Sequence, residues 1–205
     1  MTYSATTEII EVAATQDLTV LATAKAELGI PDADTLQDDK ITRWIHEISS
    51  QICSRVNRVI GREKVKETFE LGWHGNLGPL CLSRYPVAII DSVSEHGTEL
   101  GSSSYRCDGI KGLLFRNYGR WHGEVIVQYQ AGYQLLAELP YDIERAALLL
   151  IRYRQAAGQR DPLLRSETIP GVYEAAYWVG TVPGSDASMP SDVAELLRPY
   201  IDPAI

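Results

Sequence analysis

From Ile41 to Val59 the apolar residues Ile41, Trp44, Ile45, Ile48, Ile52, Val56 and Val59 recur at steps of three and four, with Arg43, Glu47, Arg55 and Arg58 between them. That period is one face of an amphipathic helix, and a helix this long must bury the face against other elements. Gly61 stands where a helix-ending glycine belongs. Further on the rhythm changes. Val125, Val127 and Tyr129 alternate with Ile126, Gln128 and Gln130, the period of a strand. After Gly132 the helical spacing returns at Pro140, a good first-turn residue, and runs to about Ala157 with Ile143, Ala147, Leu150 and Ile151 inward. One chain therefore carries long helices and strands together.

The other segments fit an α+β plan with a helical bundle core and an inserted antiparallel β-rich region. A first helix starts near Asp17, which can cap it, presents Leu18, Leu21, Ala22 and Leu28 on one face, and stops at Gly29. Between residues 64 and 133 short β-branched and aromatic runs such as "VKETFEL" and "GEVIVQYQAGY" are separated by Gly, Ser and Asn. Pro86 belongs at a strand start or edge, because it has no N–H to give to a ladder. Residues 1–16, small and polar, are expected as a flexible N-terminal arm, and residues 158–190, rich in Gly, Pro and Ser, as an extended arm. A short last helix can be capped by Ser191 and is broken at Pro199. The plan has two N-terminal helices, one long apolar helix and a short C-terminal one around the insertion. The core domain spans 17–157 and the C-terminal segment 191–205.

Composition narrows the function. The 205 residues carry 27 acidic and 19 basic side chains, a formal charge of −8. Duplex DNA is gripped by clustered Lys and Arg, so this balance excludes a nucleic-acid coat, though not a surface past which DNA slides. Three scattered cysteines, Cys53, Cys81 and Cys107, make no disulfide framework and point to a reducing compartment. The first residues lack a basic, then apolar, leader pattern, and no run reaches the ~18 apolar residues of a membrane span. The expectation is a soluble chain made in the cytoplasm, with no membrane partner.

The sequence is poor in chemistry. His74, His122, Cys81 and Cys107 could converge on a zinc ion from neighbouring strands, but they lack the close Cys or His pairs of structural zinc sites. Cys53 lies within the amphipathic stripe, where an inert half-buried thiol is expected. Phosphate-binding glycine loops, nucleophile elbows and HExxH helices are missing. Arg145, Arg152 and Arg154 on the third helix would suit phosphate, but helix-face arginines usually pair with carboxylates. No cofactor and no catalytic residue is assigned. A small cytoplasmic enzyme or ligand-binding domain, its site assembled only in three dimensions, is the alternative reading. The run Ala146 to Ile151 is apolar nearly all round, so that helix is central or shared with a neighbouring subunit. Trp44, Ile48, Leu149 and Tyr153 are the candidate subunit-interface residues.

Several blocks together resemble one family. "LTVLATAKAELGI" followed by "DDKITRWIHEISSQICSRVNRVIGR", and then "LCLSRYPVAIIDSV", "VIVQYQAGY", "LPYDIERAALLLIRYR" and "MPSDVAELLRPY", are similar in the same order to the head–tail connector proteins of long-tailed bacteriophages, also called adaptor or head-completion proteins. The resemblance runs from about Leu18 to Tyr200. It implies a non-enzymatic virion protein at the head–tail junction, assembled in the host cytoplasm. The form implied is a homo-oligomeric ring, typically of twelve subunits, that sits beneath the portal protein and continues its DNA channel without binding the genome specifically. A stopper or tail-terminator protein would follow on the tail side. The family reaches the portal with its C-terminal segment, which here is residues 191–205. Val193, Leu196, Leu197, Arg198, Tyr200 and Ile201 are its candidate portal contacts.

Overall fold

The computed structural model describes residues 3–72, 78–158, 166–169, 173–176 and 189–201. The elements run β1 (Tyr3–Glu11), α1 (Leu21–Leu28), α2 (Asp38–Val56), β2 (Glu63–Leu71), β3 (Leu80–Cys81) and β4 (Val87–Glu95). Then come β5 (Thr98–Glu99), β6 (Tyr105–Asp108), β7 (Leu113–Arg116), β8 (Glu124–Ala131) and α3 (Tyr141–Gly158). A hairpin of β9 (Ser166–Ile169) and β10 (Tyr173–Ala176) precedes α4 (Ser191–Leu197), and one 3-10 turn over Arg198–Tyr200 follows it. The described residues are thus a mixture of helices and antiparallel sheets, the α+β class read from the sequence. They divide into two compact units, one of residues 1–16 and 59–138, the other of 17–58 and 139–205.

The first unit is β-rich. Its main sheet has the order β1-β2-β8-β4-β5, and a smaller one the order β3-β7-β6, with antiparallel pairing throughout. The alternation legible in β8 is also present in β2. Val65 and Phe69, with Val125, Val127 and Tyr129, turn to one side and are fully buried, while Lys64, Lys66, Gln128 and Gln130 turn to the other. Leu80, Leu114 and Trp121 complete that core. Each large side chain so buried contributes about 1.5–3 kcal/mol relative to exposure.

Glu67 shares the parity of Val65 and Phe69, so its carboxylate is carried to the buried face, where it is 1% exposed. It is well provided with donors. The Tyr129 hydroxyl donates to it at 2.9 Å and the Ser83 N–H at 3.0 Å, and the Ser83 hydroxyl adds a further short bond. Tyr129 in turn accepts from the Arg84 N–H at 3.2 Å. Burial, and then the Glu67 charge, push the Tyr129 hydroxyl far above the ordinary tyrosine range.

Two expectations fail in this unit. Tyr3–Glu11 is not a loose arm but an edge strand, paired with β2 from Tyr3↔Leu71 to Glu11↔Lys64. Gly61 ends no helix. It forms an isolated parallel bridge with Tyr133, and a Cβ on it would lie 2.8 Å from that of Ala13. Its conformation serves close packing rather than termination.

The second unit is helical apart from its hairpin. The apolar stripe of α2 buries Ile41, Ile45, Ile48, Ile52 and Val56, and α3 buries Ile143, Ala147 and Ile151 against it. The helix ends at Asn57, which adopts the left-handed conformation (φ 57°) and ties its N–H to the Cys53 carbonyl, so Val59 lies beyond it. Asp38 and Asp39 stand in the first turn, where the helix dipole favours carboxylates. In α1 the Gly29 stop is as read (φ 69°), but the helix begins at Leu21 and Asp17 does not cap it. Asp17 instead meets His46 Nδ1 at 2.6 Å, and Leu18 is fully buried with its N–H on Ser49 Oγ. Lys25, 3% exposed, holds the following loop by donating to the Asp32 and Asp34 carbonyls at 2.9 and 2.7 Å and pairing with Asp38 at 2.9 Å.

Most of the expected extended arm lies outside the described residues. Within it, β9 and β10 pair antiparallel from Ser166↔Ala176 to Ile169↔Tyr173, a regular element where an irregular one was expected. α4 lacks the expected Ser191 cap. Pro190 occupies that position, Ser191 is already helical, and the Asp192 carboxylate accepts from the Val193 N–H.

Candidate assembly surfaces

Between α2 and α3 of the second unit lies an open groove of about 260 Å3, walled by Ile48, Gln51, Leu150, Tyr153, Arg154 and Ala157. Its floor is apolar because the α2 and α3 stripes meet there, and its rim is polar. Arg154 reaches Glu47 at 2.5 Å, and the Tyr153 hydroxyl donates to Asp192 of α4 at 2.6 Å. That hydrogen bond, more than burial, raises the Tyr153 pKa. The other two arginines of α3 behave as helix-face arginines usually do. Arg145 and Arg152, two turns apart, both pair with Glu27, at 3.0 and 3.1 Å.

Of the four interface candidates, Ile48 and Tyr153 meet on the groove wall, whereas Trp44 and Leu149 are half-buried and lie outside it. Trp44 carries the Lys40 ammonium 4.7 Å above its ring. Ile48, at 1% exposure, is a core residue with one edge on the groove. Gln51 has no place in the sequence reading; Leu150 and Arg154 enter it as an inward residue and a phosphate candidate and Ala157 as the end of the helix, none of them as part of a groove.

The C-terminal candidates divide. Val193 and Leu197 are fully buried and α4 packs on α3, so these two belong to the core of their own unit. They are not free to meet a partner while α4 stays docked. The same helix leaves Leu196, Tyr200 and Ile201 half-buried and Arg198 well exposed, its guanidinium 3.5 Å from Glu195.

Among the described residues no group of three or more His, Cys, Asp or Glu is placed to hold a metal ion. His74 falls outside those residues. Burial, reinforced by Asp108, pushes the Cys107 thiol up, the direction opposite to that of a nucleophile. No helix among the described residues is long and apolar enough to cross a membrane.

No family model matches the chain. No curated protein matches it either. Solved structures do match, over nearly its whole length. A chain of the neck of an empty gene transfer agent particle, computed with sixfold symmetry, has a TM-score of 0.58 at 14% identity, over 98% of this chain and 97% of that one. A chain of the native particle's neck, computed with twelvefold symmetry, has 0.56 at 15% identity, over the same shares. One from the virion of the native particle also has 0.56 at 15% identity, over 97% and 96%. At such identity the likeness establishes the fold alone: this chain shares the fold of neck chains of a gene transfer agent particle.

Proposed function

We propose that the chain is a structural virion protein, a head–tail connector of the adaptor type. In this reading twelve copies form a ring under the portal protein, extend its DNA channel and offer the tail side a seat for a stopper or tail-terminator protein. The observation that carries the proposal is the full-length likeness to neck chains of particles solved with sixfold and twelvefold symmetry. The ordered sequence blocks from Leu18 to Tyr200 resemble the same class of protein independently. The groove between α2 and α3 does not support the small-ligand alternative. The groove is open and its only charged wall residue, Arg154, is already paired.

Trp44, Leu149 and Tyr153 are assigned to contacts between subunits of the helical units, with Ile48 in the core beneath the groove. Leu196, Arg198, Tyr200 and Ile201 are assigned to the portal, with Val193 and Leu197 holding the helix that presents them. Genomic DNA passes without sequence-specific contact, in keeping with the net charge of −8. The test is electron microscopy of purified portal-bearing heads incubated with the protein. A twelvefold ring on the portal vertex, and tails joining only heads that carry it, are expected. Unadorned heads that accept tails equally well would overturn the proposal.

A further inference from the structure

The main sheet has two unlike edges. On the β4 side the pairing with β8 is broken by two bulges, β5 is only two residues long, and the Val87 N–H is taken by the Gly109 carbonyl at 2.7 Å. Such an edge is short, twisted and partly occupied, as protected edges are. The β1 side has almost none of this. It is nine residues long, with no proline and no lysine, and a single irregularity near its end. Among the described residues no strand lies beyond it.

The side chains of β1 are uncovered as well. Ser4 to Glu11 are exposed on both faces, with Ile9, Ile10 and Val12 at 46, 43 and 72%. Every second residue of such a strand turns its N–H and C=O outward, about four pairs in all. A chain left this way is a template for another strand.

The same chain holds an element with the complementary deficiency. β9 and β10, four residues each, form a two-stranded sheet with no third strand among the described residues. A two-stranded hairpin is marginal alone, and a third strand is what stabilises it. We infer that β1 of one copy receives the β9–β10 hairpin of another, so that the five-stranded sheet of one subunit continues into its neighbour's hairpin. The donor and acceptor surfaces differ. The contact is therefore head-to-tail, the kind that repeats around a ring instead of closing as a pair. This inference rests on the ring reading above and names its strand contact.

Cysteine pairing tests it. A disulfide needs Cα atoms within about 4.4–6.8 Å, the reach of adjacent strands. In a background with Cys53, Cys81 and Cys107 changed to serine, one protein carries Thr6→Cys and a second carries Glu167→Cys or Glu174→Cys. Rings assembled on portal-bearing heads from the mixture, then oxidised, should give a species of twice the chain mass on a non-reducing gel, and rings of either protein alone should not. Adding Ile10→Lys to the Thr6→Cys protein should lower that yield at least tenfold without changing its melting temperature. Mixed rings of full stoichiometry with no cross-link overturn the strand addition and leave the ring standing. A Thr6→Cys, Glu174→Cys double variant that closes only within one chain, at any dilution, also overturns it. If the unsubstituted protein forms no ring on portals, the ring reading falls and this inference with it.

Discussion

Leu197→Ala separates two roles of α4, packing on its own unit and presenting the turn that follows it. Leu197 is fully buried where α4 packs on α3, with Val193 one turn before it. Truncating a buried leucine removes its transfer free energy and leaves a cavity, at a cost of about 2–5 kcal/mol. For a chain of this size each kcal/mol lowers the melting temperature by about 2–4 °C, so a mid-range loss of about 3 kcal/mol gives a fall of about 6–12 °C. Arg198→Glu changes a side chain that is largely in water and reaches only an exposed glutamate, so it should leave stability within about 0.5 kcal/mol. The assays are calorimetry and co-sedimentation with portal-bearing heads at 20 °C, below either transition. Leu197→Ala should melt early and still attach, while Arg198→Glu should melt normally and attach at least tenfold more weakly. An unchanged transition for Leu197→Ala would falsify the docked-helix reasoning. Full attachment of Arg198→Glu would remove the portal assignment from this turn.

Two further outcomes concern the tyrosine hydroxyls. Tyr129→Phe keeps the ring but takes a donor from Glu67 and an acceptor from the Arg84 N–H; it should cost about 2–3 kcal/mol in urea unfolding, and a loss under about 0.5 kcal/mol would show the network to be idle. Alkaline stability follows from tyrosines whose folded pKa is raised: Tyr129 and Tyr105 mainly by burial, and Tyr153 by its bond to Asp192. Because the raised value belongs to the folded state, their contribution is complete below the ordinary pKa of about 10 and drains away as pH climbs towards the folded values. Melting temperature should therefore hold from pH 8 to 9.5 and fall above about pH 10, less steeply in Tyr129→Phe; equal slopes for the two proteins would count against the assignment.

The sequence made some elements plain because they bury one face. The α2 stripe and the β8 alternation survive in the structure almost residue for residue, since a period shows only where one side is apolar and the other wet. β1 left no such trace. With both faces exposed, "SATTEII" has no reason to alternate, so a real strand looks like a polar arm. Glu67 was findable in principle, because parity with Val65 and Phe69 places it inward, but its donors Ser83 and Tyr129 come from 16 and 62 residues away. For α4 the spacing of Val193 and Leu197 marked an apolar face without saying whose core it joins. Docking onto α3 is a tertiary fact, and it moved those two residues from partner contacts to the interior. The groove is of the same kind: two helix faces were legible, but not the register that sets Gln51 beside Arg154.

The division of the chain has a mechanical consequence. Each unit is made of two separate stretches, so the backbone passes from one to the other three times, near residues 16, 58 and 138. A single cut at any one of these passages leaves the units tethered by the other two. A proteolytic nick in one passage therefore cannot by itself part the two units.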